Sequence, residues 1–127
     1  MTQGLLLIAH GARDPRWALP FEDIARRIRA QRPQVAVELC FLEFMAPDLP
    51  AAGDRLALAG CTSIAVLPLF LGAGGHVRQD LPRLIDIVSK RHPSLQISLA
   101  QAVGEIDSVA AAMANAALAL VADDPRA

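Results

Sequence analysis

Four strand-like segments, each followed by a stretch with a helical apolar period, constrain this chain more than any other feature. Leu5-Leu6-Leu7-Ile8-Ala9 is continuously apolar, the pattern of a strand buried on both faces. Val35–Leu42 is rich in β-branched and apolar types, Ser63–Leu71 carries the strongest strand pattern, and Gln96–Ala100 supplies a fourth strand. Between them, Pro20 opens a helix with Phe21, Ile24, Ala25 and Ile28 on one face, and Pro33 stops it. Asp48 can cap a second helix with Leu49, Ala52, Leu56 and Ala59 inward and Gly60 at its end. A third helix is expected from about Asp80 to Arg91, with Leu81, Leu84, Ile85 and Val88 on one face. A fourth is expected over Ile106–Val121, with Ile106, Val109, Met113, Ala117 and Leu120 inward. Strict β-α alternation with short connections requires a parallel sheet with helices on both faces. Right-handed crossovers then favour a three-layer α/β/α sandwich: a four-stranded parallel sheet in the flavodoxin-like order 2-1-3-4. Residues 1–122 are read as one domain and 123–127 as a flexible tail.

Composition narrows the function. Twelve Lys and Arg against thirteen Asp and Glu leave a net charge of −1, which gives no basic excess for nucleic acid or an anionic membrane surface. The longest apolar runs are far short of the roughly 20 residues that a bilayer requires. No basic segment precedes the first apolar run, so a secretory signal is not expected. Cys40 and Cys61 stand apart in apolar contexts and read as core residues of a protein in a reducing, cytoplasmic compartment.

Ligands of such sheets bind beyond the carboxyl ends of the strands. Strand one is followed by His10, strand two by Glu43, and strand three by a glycine-rich loop, Leu71-Gly72-Ala73-Gly74-Gly75-His76. With the order 2-1-3-4, His10, Glu43 and His76 face one crevice. Two imidazoles and a carboxylate suit a borderline divalent ion, and three protein ligands leave positions open for handling it. The competing reading is that strand-end histidines are ordinary solvated loop residues; no local metal signature such as HExxH decides between them. Gly74 and Gly75 would let backbone pass close to a bulky ligand. Arg13, Arg16 and Arg78 lie on the same loops and could recognise carboxylates, or be ordinary surface charge. Trp17, Phe44 and Phe70 could line an apolar wall, with core packing the plainer role for Phe70. His92 ends the third helix at the opposite end of the sheet, where it can cap carbonyls and complement the helix dipole. A histidine phosphatase would need Arg directly before the first His, where this chain has Ala9; a receiver module would need an acidic pair after strand one and an Asp after strand three, and neither is present.

Three blocks carry a resemblance: Leu5–Asp14 with its His10-Gly11-Ala12-Arg13-Asp14 end, Phe41-Leu42-Glu43 followed by Pro47, and Pro68-Leu69-Phe70-Leu71 followed by Gly74-Gly75-His76-Val77 and Asp80-Leu81-Pro82. Over almost the whole chain the sequence resembles the short-form class II chelatases acting on sirohydrochlorin, the CbiX-type cobaltochelatases and their ferrochelatase relatives. Ala12 stands where Ser is common in that family. The resemblance implies a chelatase-like fold and insertion of a divalent ion into sirohydrochlorin: cobalt first, with iron or nickel as the other candidates, and no organic cofactor. It implies that His10 and His76 are metal ligands, that Glu43 assists as ligand or base, and that the short forms act as homodimers. A non-catalytic cobalt or nickel metallochaperone of the same fold is the competing function.

Overall fold

The computed structural model describes residues 2–72 and 74–121; the expected tail at 123–127 lies outside them. Its elements run β1 (Thr2–Ala9), α1 (Leu19–Gln31), β2 (Ala36–Phe41), α2 (Leu49–Leu58), β3 (Cys61–Pro68), α3 (Gly75–Arg91), β4 (Gln96–Leu99) and α4 (Asp107–Leu118). Short 3-10 helices at Pro15–Ala18 and Val103–Glu105, not expected from the sequence, precede α1 and α4. The strands form one parallel sheet in the order β2-β1-β3-β4. The central strand is the continuously apolar one, and its Leu6, Leu7, Ile8 and Ala9 are buried. Each fully buried Leu or Ile contributes about 2 kcal/mol of transfer free energy.

The two sheet faces pack differently. On one, Leu6, Ile8, Cys40, Ile64 and Val66 meet Leu49, Ala52 and Leu56 of α2 and Leu81 and Val88 of α3 in the main core. On the other, Leu7 and Val37 meet Ala25 and Ile28 of α1. Both cysteines are buried free thiols, and burial pushes their pKa values up.

Two expectations are corrected. Helix α3 starts at Gly75, not near Asp80, so Gly75, His76 and Arg78 stand in its first turns rather than in the loop. The sequence misleads here because Pro82 reads as a first-turn residue. Instead it sits inside the helix, which loses one hydrogen bond to accommodate it. The second correction is α4. It ends at Leu118, short of Leu120, and does not lie on the sheet. Every residue from Ala110 to Leu118 is exposed, Met113 and Ala117 among them. Its stripe is interrupted by alanines on all sides, so the helix has no dominant apolar face to hold it against its own sheet. On the α1 side, Ala65, Gln96 and Ser98 of β3 and β4 are left uncovered among the described residues, beside a trough of about 380 Å³.

At the far end of the sheet, the His92 Nε2 lies 2.8 Å from Asp54 Oδ1, and Arg91 donates to Asp54 Oδ2 at 2.8 Å. His92 therefore ties α3 to α2 rather than only closing its own helix. The hydrogen bond from His92, with Arg91 nearby, holds the Asp54 carboxyl below the usual range. A depressed carboxylate contributes stability above its unfolded pKa and loses it as pH falls through the folded value. Acid unfolding of wild type and Asp54→Asn, followed by circular dichroism, should therefore differ above about pH 4 and converge below it.

Candidate functional site

The carboxyl ends of β1 and β2 are stitched together past the last ladder residues. Leu42 N donates to Ala9 O at 3.0 Å, and Glu43 N donates to His10 O at 3.0 Å. His10 and Glu43 are thus backbone neighbours on adjacent parallel strands, and both are exposed. Two backbone features fix this pairing. Gly11 has φ +92°, and a Cβ there would lie 1.8 Å from Glu43 O, so only glycine lets the β1 loop run so close to Glu43. Phe44 takes φ +66°, which turns the chain sharply after Glu43 and leaves its own ring 58% exposed. The sequence singled out neither requirement: that of Gly11 comes from a segment about thirty residues away, and that of Phe44 from a tight turn in which Met45 N donates to Glu43 O at 2.8 Å.

One side of His10 is bounded by Phe70. The two rings lie 4.3 Å apart at 31°, and Phe70 is only 4% exposed. Phe70 is thus both a core residue and a wall of the site. Trp17 stacks on Phe21 at 4.6 Å, above Ala18 and Phe41, and belongs to a satellite core instead.

His76 is the second residue of α3, at the same end of the sheet. Gly74, the residue before that helix, is extended and makes no side-chain cap hydrogen bond. Among the described residues nothing lies within 4 Å of a Cβ built on Gly74 or Gly75, and neither has a positive φ. Internal packing therefore does not demand glycine at either position.

The three arginines expected at the site are each engaged locally. Arg13 lies over the Phe44 ring at 5.1 Å, which brings it to the Glu43 segment. Arg16 makes a forked contact with Asp14, and Asp14 also accepts from Arg16 N to cap the 3-10 helix. The Arg16 guanidinium holds the Asp14 carboxyl below its usual range. Arg78 Nη2 stands 3.8 Å from Glu105 Oε1. The cavity at this end, lined by Pro68, Arg78, Leu81, Leu99, Ala102 and Glu105, holds about 150 Å³. No helix among the described residues is long and apolar enough to cross a membrane.

A parallel sheet in this order, with His10 and Glu43 paired through their backbones beyond the ends of β1 and β2, is that of a chelatase-like α/β domain. The comparisons agree. The CbiX family model matches residues 4–119, and the chain belongs to the CbiX family. The CbiX protein from Marinobacter aquaeolei VT8 superposes with a TM-score of 0.80 at 29% identity, covering 93% of this chain and 96% of that one. The sirohydrochlorin cobaltochelatase of Methanococcus maripaludis is 31% identical over 85 residues, 67% of this chain and 59% of that protein. The sirohydrochlorin ferrochelatase of Bacillus subtilis is 29% identical over 113 residues, 89% of this chain and 43% of that protein. The matched region thus spans about half of these two relatives.

Proposed function

We propose that this domain inserts a divalent metal ion into sirohydrochlorin, with His10, Glu43 and His76 handling the ion. The observation that carries this reading is the locked pairing of His10 with Glu43 at the strand ends of a CbiX domain. The names of the two sirohydrochlorin relatives supply the substrate class. Insertion exchanges two pyrrole N–H protons for one M²⁺ ion. A neutral imidazole donates a lone pair to the ion, and an ionised carboxylate can either ligate it or accept a departing proton. Both roles need groups that remain open to solvent and substrate, and His10 and Glu43 are exposed. The ion is a substrate here. Imidazole–carboxylate sets do not select strongly among divalent first-row ions. The relatives' names divide between cobalt and iron. Cobalt is the first choice, iron the second and nickel the third, and parallel insertion rates with the three ions decide among them.

The macrocycle's carboxylates fit the loop chemistry. Arg16 and Arg78 can turn from Asp14 and Glu105, because exposed ion pairs are worth at most about 1 kcal/mol, and Arg13 from the Phe44 ring, an exposed cation–π contact worth about as little. A helix start capped by glycine suits an anionic ligand, and among the described residues nothing crowds a Cβ position at Gly74 or Gly75 where a broad, flat ligand would pass.

His10 and Glu43 are exposed, so one face of a bound tetrapyrrole would lack a wall in this chain alone. The reading assigns that wall to a second copy of the chain in a homodimer. Its support is the exposed apolar helix α4, with Leu118 66% exposed, together with the uncovered β3–β4 face. Free buried thiols suit a reducing cytoplasm.

The deciding experiment mixes catalytic protein with excess cobalt and sirohydrochlorin and follows the absorption spectrum. Accelerated, multiple-turnover conversion is expected; a metallochaperone would give none. Sedimentation should show a dimer. Charges placed on α4, Met113→Asp with Leu118→Asp, should yield monomers with insertion reduced by about tenfold or more. A fully active monomer would remove the dimer from the reading.

A further inference from the structure

The residues expected to handle the metal stand on three separate segments, and something must fix their spacing. We infer that the turn Val103–Glu105 and the Phe70 ring form a positioning device for His10, with Gly104 and Phe70 as its positioning residues. The inference rests on His10 being a metal ligand, as proposed above.

Exposed histidine side chains ordinarily sample several rotamers. Here the imidazole of His10 lies against Phe70, which acts as a shelf on its inner side. The shelf belongs to the main core, in one cluster with Leu81 and Ala102. Its backbone is pinned at the preceding amide and at its own carbonyl. Leu69 N donates to Ile8 O at 2.8 Å, and Gly104 N donates to Phe70 O at 2.9 Å.

The second bond comes from the turn after β4. Gly104 lies so close to Leu71 that a Cβ on it would stand 2.1 Å from Leu71 O and 2.4 Å from Leu71 Cα. These are backbone atoms, so no side-chain rotation relieves the contact. Two residues before, Ala102 is buried in the core; one residue after, Glu105 reaches Arg78 in the early part of α3, two residues beyond His76. One three-residue turn therefore touches the segment under His10 and the helix that bears His76.

A methyl group at position 104 must push the turn away from Leu71 or move Phe70 and Leu71 toward His10. Displacements near 1 Å at a reacting site cost about a hundredfold in rate. The loss should fall mainly on kcat, because Arg13 and Arg16 contact Phe44 and Asp14 rather than this turn.

The test measures cobalt binding to the dimeric protein alone, through the visible absorption of the bound ion, and then insertion kinetics. Wild type, His10→Ala, Gly104→Ala and Phe70→Leu are compared. Phe70→Leu keeps an apolar side chain in the core and covers the case in which Gly104→Ala fails to fold. The expected result is loss of the cobalt spectrum in His10→Ala. In Phe70→Leu and Gly104→Ala, an altered spectrum should accompany a kcat lowered about ten- to a hundredfold, with KM for the tetrapyrrole changed less than about threefold. If His10→Ala loses the cobalt spectrum while the other two variants bind and insert like wild type, the positioning role is overturned and the metal site stands. If His10→Ala binds cobalt like wild type, the metal-site reading fails and takes this inference with it.

Discussion

Replacing His76 by alanine should lower cobalt insertion into sirohydrochlorin by at least about a hundredfold, or roughly 2.7 kcal/mol in the barrier. The fold should survive, since the substitution falls in the first turn of α3, at the end of the helix. Far-ultraviolet circular dichroism and a urea midpoint within error of wild type would establish this. Turnover equal to wild type in a folded variant would remove His76 from the site. His92→Ala is the matched control. His92 pairs with Asp54 at the other end of the sheet and should leave insertion within about twofold of wild type, with a small stability loss.

The second large effect is expected at Gly11. Gly11→Ala forces a Cβ into the Glu43 carbonyl at 1.8 Å and holds alanine at φ +92°. Left-handed strain and the clash together should cost about 2–4 kcal/mol. That lowers a urea midpoint by about 1–3 M for a chain of this size. The damage should also reach the chemistry, because relief requires the His10 and Glu43 segments to part. An alanine variant with an unchanged midpoint and full activity would show that the two segments are not locked.

Much of the architecture was legible in the residues, and the failures have physical causes. Leu5–Ala9 could only be a central strand: five consecutive apolar residues need cover on both faces, and the sheet order follows from short right-handed crossovers. His10 and Glu43 followed from the same topology, since both lie just past strand ends. The start of α3 was not legible, because Gly74, Gly75 and Pro82 all read as helix-breaking types, yet Gly75 and Pro82 lie inside the helix. The placement of α4 was hidden for a different reason. Apolar periodicity shows which residues avoid water, not which surface covers them, and Met113 and Ala117 remain exposed in the single chain. The requirements for Gly11 and Gly104 were invisible because each depends on a backbone atom distant in sequence: Glu43 O for one and Leu71 O for the other.

A helix standing off its own sheet also changes how the stability of this domain should be measured. Any partner that covers α4 and the open β3–β4 face binds only the folded chain. Its free energy then adds to folding through mass action. Where that partner is the second copy proposed above, the melting temperature becomes a function of protein concentration, falling as the sample is diluted. A single unfolding curve from such a dimer would report the number of molecules in the tube as much as the strength of its core.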